Sequence, residues 1–94
     1  MEKILTLHPE GKNGVRIDRN KYEVIKSEII SIINNHGTVT FKALQKEMNL
    51  NLKDRFDGSI TWYLTTVKLD LEARRILERI PGSSPQKLIL IKEN

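Results

Sequence analysis

Short hydroxyl and cationic side chains gather in the second half of this chain: Lys53, Arg55, Ser59, Thr61, Thr65 and Lys68, with Arg79 and Lys87 further on. Lysine and arginine meet phosphate by charge, and short hydroxyls hydrogen-bond to phosphate oxygens and base edges. The grouping is one that can meet a nucleic acid. The competing reading of each of these residues is an ordinary solvated surface. Nothing comparable points to catalysis. His8 and His36 are the only histidines, they are far apart, and there is no cysteine, so no metal-ligand spacing exists. A nucleophile elbow, a phosphate loop and a dinucleotide fingerprint are all missing. The expectation is no enzyme, no cofactor, no metal and no small-molecule ligand.

The elements that must position these residues follow from periodicity. A first helix is expected over residues 21–35, capped by Asn20 with Glu23 completing a capping box, and stopped by Gly37. Its Tyr22, Ile25, Ile29, Ile32 and Ile33 form one apolar face. Thr38-Val39 reads as a short strand. A second helix follows over about residues 41–48, with Thr40 as cap, Phe41, Leu44 and Met48 on one face, and Lys42 and Lys46 off it. Residues 49–56 lose helical periodicity and read as a connection. A third helix is expected over residues 58–74 with Asp57 as cap and Ile60, Leu64, Val67 and Leu71 facing the core. Two strands, 76–80 and 87–91, flank the turn Pro81-Gly82-Ser83-Ser84-Pro85-Gln86. The contiguous Leu88, Ile89, Leu90 and Ile91 suggest that the second strand is covered on both faces.

Ninety-four residues make one domain with a single core, read as an N-terminal arm over 1–14 and a domain over 15–94. The net charge of +4 favours a nucleic-acid partner through counterion release, and equally fits surplus lysines on a soluble surface. No secretory signal pattern and no membrane-spanning apolar run occur in the sequence, so the chain is expected to be cytoplasmic without membrane contact.

The order of helix, short strand, helix, connection, long helix and hairpin is the layout of a winged helix. His36-Gly37-Thr38-Val39-Thr40-Phe41-Lys42-Ala43-Leu44 resembles the entry to that family's second helix. The stretch Leu69-Asp70-Leu71-Glu72-Ala73-Arg74-Arg75-Ile76-Leu77-Glu78-Arg79 resembles its exit from helix three into the wing. More closely, Arg55-Phe56-Asp57-Gly58-Ser59-Ile60-Thr61-Trp62-Tyr63 and Val67-Lys68-Leu69-Asp70-Leu71-Glu72-Ala73-Arg74, with the Pro81–Gln86 turn, resemble a group of small bacterial winged-helix-like proteins of unknown function. The resemblance implies an α+β winged helix: a three-helix core, a C-terminal hairpin wing and a short N-terminal arm. It implies no activity. Two departures stand out. The connection from Met48 to Asp57 is about twice the usual three or four residues. Arg75 also stands where a glycine often supplies positive φ, a conformation that costs an arginine roughly 1 kcal/mol.

Helix three is nearly neutral, with Lys68, Arg74 and Arg75 set against Asp57, Asp70 and Glu72. Opposite its core stripe stands a second one of Trp62, Thr66, Leu69 and Ala73. An exposed Trp and Leu side by side call for a cover. The arm (Ile4, Leu5, Leu7), a second subunit and a stacking contact to nucleic acid all remain open. Two functional classes follow. One is a winged helix that binds double-stranded DNA and regulates transcription as a homodimer. The other is a protein-interaction module of the same shape without DNA contact.

Overall fold

The isoleucine-rich stretch forms the central helix because its β-branched side chains have somewhere to go. In the structure, a computed structural model that describes residues 2–82 and 84–91, this helix spans Arg19–His36. Its Tyr22, Ile25, Ile29, Ile32 and Ile33 are buried in the main core. In chain order the elements are β1 (Lys3–Leu5), β2 (Arg16–Asp18), α1 (Arg19–His36), β3 (Thr38–Thr40), α2 (Phe41–Leu52), α3 (Ile60–Ala73), β4 (Leu77–Arg79) and β5 (Lys87–Leu90). Among the described residues the fold is α+β: three helices, a two-stranded antiparallel sheet β1-β2, and a three-stranded antiparallel sheet in the order β3-β5-β4. Among the described residues no helix is long and apolar enough to cross a membrane.

Several boundaries differ from the sequence expectation. The cap of α1 is Asp18 rather than Asn20, because Asp18 ends β2 and its carboxylate accepts from the Lys21 amide at 3.1 Å. Helix α2 runs on to Leu52. Leu44, Met48 and Leu52 are one buried stripe at i, i+4 and i+8, which the alternating Asn-Leu-Asn-Leu disguises as period two. Helix α3 starts two residues late. Gly58 holds φ +123°, which no helix admits, so Ser59 caps instead of Asp57 and accepts from the Trp62 amide at 3.1 Å. Thr40 caps α2 as expected, and Gly37 ends α1 at φ +80°. In β5 only Leu88 is buried, and Ile89, Leu90 and Ile91 are half-buried. Ser83 of the hairpin turn lies outside the described residues.

The segment read as an arm is one strand of a hairpin, with Lys3, Ile4 and Leu5 opposite Asp18, Ile17 and Arg16. The pairing continues through Thr6, whose amide donates to the Val15 carbonyl at 2.9 Å. Gly14 makes this possible, since a Cβ there would lie 1.6 Å from the Thr6 carbonyl oxygen.

The exit from α3 is a Schellman turn. The Ile76 amide donates to the Leu71 carbonyl at 2.9 Å and the Arg75 amide to that of Glu72 at 3.1 Å. Arg75 sits at the left-handed position, φ +63°, and its side chain is exposed. Glycine would take that conformation without the Cβ penalty, at the expense of extra freedom in the unfolded chain. Arg75→Gly is therefore expected to stabilise the domain by about 0.5 kcal/mol and raise Tm by roughly 2–4 °C in a thermal melt.

Candidate nucleic-acid interface

Helix α3 is held in place by a carboxylate. Asp70 is fully buried and its two oxygens gather donors from three parts of the chain. The Leu7 amide donates to Oδ1 at 2.8 Å, the Tyr22 hydroxyl of α1 donates to Oδ2, and Arg74 Nε reaches both oxygens at 3.0 and 2.9 Å. Burial, reinforced by the bond to Asp70, raises the Tyr22 hydroxyl well above the ordinary tyrosine value. The bond to Asp70 likewise raises Arg74, against the opposing effect of burial. The sequence shows Asp70 and Arg74 only as an i, i+4 pair on a helix surface.

With that end anchored, the rest of α3 presents a column at i, i+4, i+7 and i+11: Thr61, Thr65, Lys68 and Glu72. Thr61 and Thr65 are exposed, and Ser59 caps the helix just before them with no acidic residue in the first turn. Asp57 points elsewhere, 3.9 Å from Lys21. Gln45 of α2 donates to the Thr61 hydroxyl at 3.1 Å, so α2 and α3 meet along this edge. Lys42 and Asn49 are the i−3 and i+4 neighbours of Gln45 on the same side of α2, with Lys46 further round, and all three are exposed. These α2 residues were not singled out from the sequence; their only signal was that Lys42 and Lys46 fall off the apolar stripe.

The cations predicted for this site are placed differently from one another. Lys68 is almost wholly buried, 2.9 Å from Glu72 Oε2 and 5.4 Å from the centre of the Phe41 ring. Arg79 of β4 lies 2.6 Å from Glu72 Oε1. Lys53 is the exposed C-cap of α2. Arg55 donates to the Asn51 carbonyl at 3.2 Å and lines a groove with Glu23, Ser27 and Glu28 of α1. Lys87 opens β5, opposite Thr40 and exposed. The structure thus brings Ser59, Thr61 and Thr65 together, joins Lys68 to Arg79 through Glu72 with Lys87 on the neighbouring strand, and sets Lys53 and Arg55 apart.

The second stripe of α3 is covered in part. Leu7 and Val15 from the N-terminal hairpin border a pocket of about 140 Å³ with Thr66 and Leu69. Ile4 packs on the core, while Leu5 and Leu7 are exposed. Ala73 is half-buried. Trp62 remains 46% exposed, edge-on to Tyr63 at 4.9 Å between centroids. Tyr63 in turn meets Phe56 edge-on at 5.1 Å, which pins the connection over residues 53–59 to α3.

The Asp70 arrangement predicts two effects. Tyr22→Phe leaves Asp70 with two of its donors and should cost about 1–2 kcal/mol, whereas Asp70→Ala strands Tyr22 and Arg74 and should cost about 3 kcal/mol or more. The hydroxyl of Tyr22 also links stability to pH. Its folded value lies above 10.0, so the unfolded chain loses this proton first as pH rises. Stability from this group is complete below about pH 10 and is lost above it. Urea unfolding at about pH 9 and about pH 11 should show a drop in the native protein that is smaller in Tyr22→Phe.

No curated protein and no solved structure matches the chain. A family model matches residues 3–88, from β1 into β5, and the chain belongs to that family, the family of unknown function DUF6958.

Proposed function

We propose that this chain is a winged-helix domain that binds double-stranded DNA along the edge where α2 and α3 meet. The observation that carries the reading is that edge. Exposed Ser59, Thr61 and Thr65 on α3 lie beside Gln45, Lys42 and Asn49 of α2, with no acidic residue in the first turn of α3. Hydroxyl and amide side chains suit base edges and phosphates, lysines suit phosphates, and a helix N-terminus is hospitable to an anion. The winged-helix layout supports it: α1, β3, α2 and α3 are followed by the β4–β5 hairpin, in the strand order β3-β5-β4. The hairpin is the wing, and β1-β2 is an addition to the pattern. Acting in transcription as a homodimer, the protein would offer two α3 faces to two half-sites.

A second reading, an interaction module, is favoured by Trp62, Leu7 and Val15, all exposed large apolar side chains of α3 and the N-terminal hairpin. The two readings separate experimentally. Trp62 is the one tryptophan of the chain, so its emission reports a single site. Titrated into random-sequence duplex, the protein should bind at about 50 mM salt and weaken at least ~10-fold by about 200 mM. Replacing Lys42 and Lys46 together by Gln should flatten the salt slope by about 1–2. Absence of binding at the lower salt removes the DNA reading. For the alternative, Trp62→Ser with Leu7→Ser should lower the mass in sedimentation equilibrium, and an unchanged mass counts against a self-association surface.

A further inference from the structure

The α3 column that begins with Thr61 and Thr65 ends at Lys68 and Glu72, where Arg79 joins it from β4. Glu72 uses both carboxylate oxygens there, one 2.9 Å from Lys68 Nζ and the other 2.6 Å from Arg79 Nε. Its side chain is only 7% exposed and that of Lys68 only 11%. Lys68 also lies over the Phe41 ring, at the start of α2. Two cations at the end of the proposed DNA edge are thus already held by an anion inside the protein.

We propose that Glu72 limits how tightly this surface holds a phosphate backbone, by keeping Lys68 and Arg79 engaged within the domain. The proposal rests on the DNA reading given above. A phosphate approaching Arg79 meets a guanidinium already paired with a carboxylate, and the carboxylate's own charge opposes the newcomer. Little water reaches Lys68 and Glu72, while Arg79 is 41% exposed, so a phosphate can approach Arg79 but has to compete with the nearly buried Glu72 carboxylate for it. Lys42 and Lys46, exposed on α2, are left to supply the phosphate contacts. Glu72 is a positioning residue: it sets where two cations point and touches no DNA itself.

The test is duplex binding by the full chain, measured by anisotropy of a labelled random-sequence duplex over a range of salt. Circular dichroism confirms that each variant is folded. Glu72→Gln removes the anion and keeps the shape. It is expected to bind about 10-fold more tightly at low salt, with a salt slope steeper by about 1–2. Arg79→Gln in the native background is expected to leave affinity within about 2-fold and the slope unchanged, because Arg79 is not yet spent on phosphate. Combining it with Glu72→Gln should remove about half of the gain in slope.

A folded Glu72→Gln that binds no better than the native chain overturns the proposal. So does an Arg79→Gln that weakens native binding and lowers the slope by about 1, and this variant decides the matter even where Glu72→Gln fails to fold. When the native chain binds and responds to the Lys42 and Lys46 substitutions, these results strike only the role of Glu72. When neither the native chain nor Glu72→Gln binds at low salt, the DNA reading itself falls and takes this inference with it.

Discussion

A carboxylate with no exposure at all has to be surrounded by donors, and the domain is arranged around that demand at Asp70. Its donors are the backbone of the N-terminal segment at Leu7, the hydroxyl of Tyr22 on α1 and the guanidinium of Arg74 on α3. Apolar packing alone fixes the distance between α1 and α3 but tolerates sliding and rotation. Two directional bonds from other elements, from the Leu7 amide and the Tyr22 hydroxyl, do not, and Arg74 at the end of the same helix adds a third donor to the carboxylate. They set the rotation of α3 about its own axis, which decides which residues face the core and which face out. They also dock the N-terminal hairpin, because the Leu7 amide has its partner only when the hairpin lies against α3.

That rotation explains how the charges of α3 are spent. Asp70 pairs with Arg74, and Glu72 pairs with Lys68 and, across to β4, with Arg79. The ion pairs turn inward or along the helix toward its C-terminal half, and the exposed N-terminal half shows hydroxyls and Trp62. Most of the charge counted on this helix is therefore paired within the domain, with Arg75 and Asp57 at its two ends left exposed. A positive field at that face has to come from α2, where Lys42 and Lys46 stand.

The three helices and the C-terminal hairpin were readable because each helix carries a dominant apolar stripe and the turn is rich in proline, whereas strand β1 was hidden in the segment read as an arm. Boundaries were less so, for local reasons. Asn20 and Asp57 are both good caps, yet Asp18 and Ser59 do the capping, since β2 delivers Asp18 to the helix end and Gly58 breaks the chain direction after Asp57. The tail of α2 was hidden by Asn49, Leu50, Asn51 and Leu52, where a helix and a strand pattern coincide and only the burial of Leu52 decides. The surroundings of the candidate residues were legible only in part. Ser59, Thr61 and Thr65 do share an exposed edge, but no periodicity reveals that Lys68 is turned inward or that Gln45 reaches Thr61. Those facts depend on how two helices cross, which is a property of tertiary packing.

Trp62 marks the place where these constraints meet. A chain of 94 residues without cysteine has a small core and gains from every additional layer. The N-terminal hairpin supplies one by covering the Thr66 and Leu69 part of the second stripe of α3. Its reach ends there, because the Leu7 amide is committed to Asp70, two turns further along the helix from Trp62. Moving the hairpin toward Trp62 would take the Leu7 donor from Asp70 Oδ1, leaving that buried oxygen only its contact with Arg74, and would deprive the Leu7 amide of its acceptor. The exposure of Trp62 thus follows from the position of Asp70 rather than from a failure to pack. It leaves a large aromatic surface at the N-terminal end of α3, adjoining the hydroxyl column, and any ligand of that column must share the helix end with it.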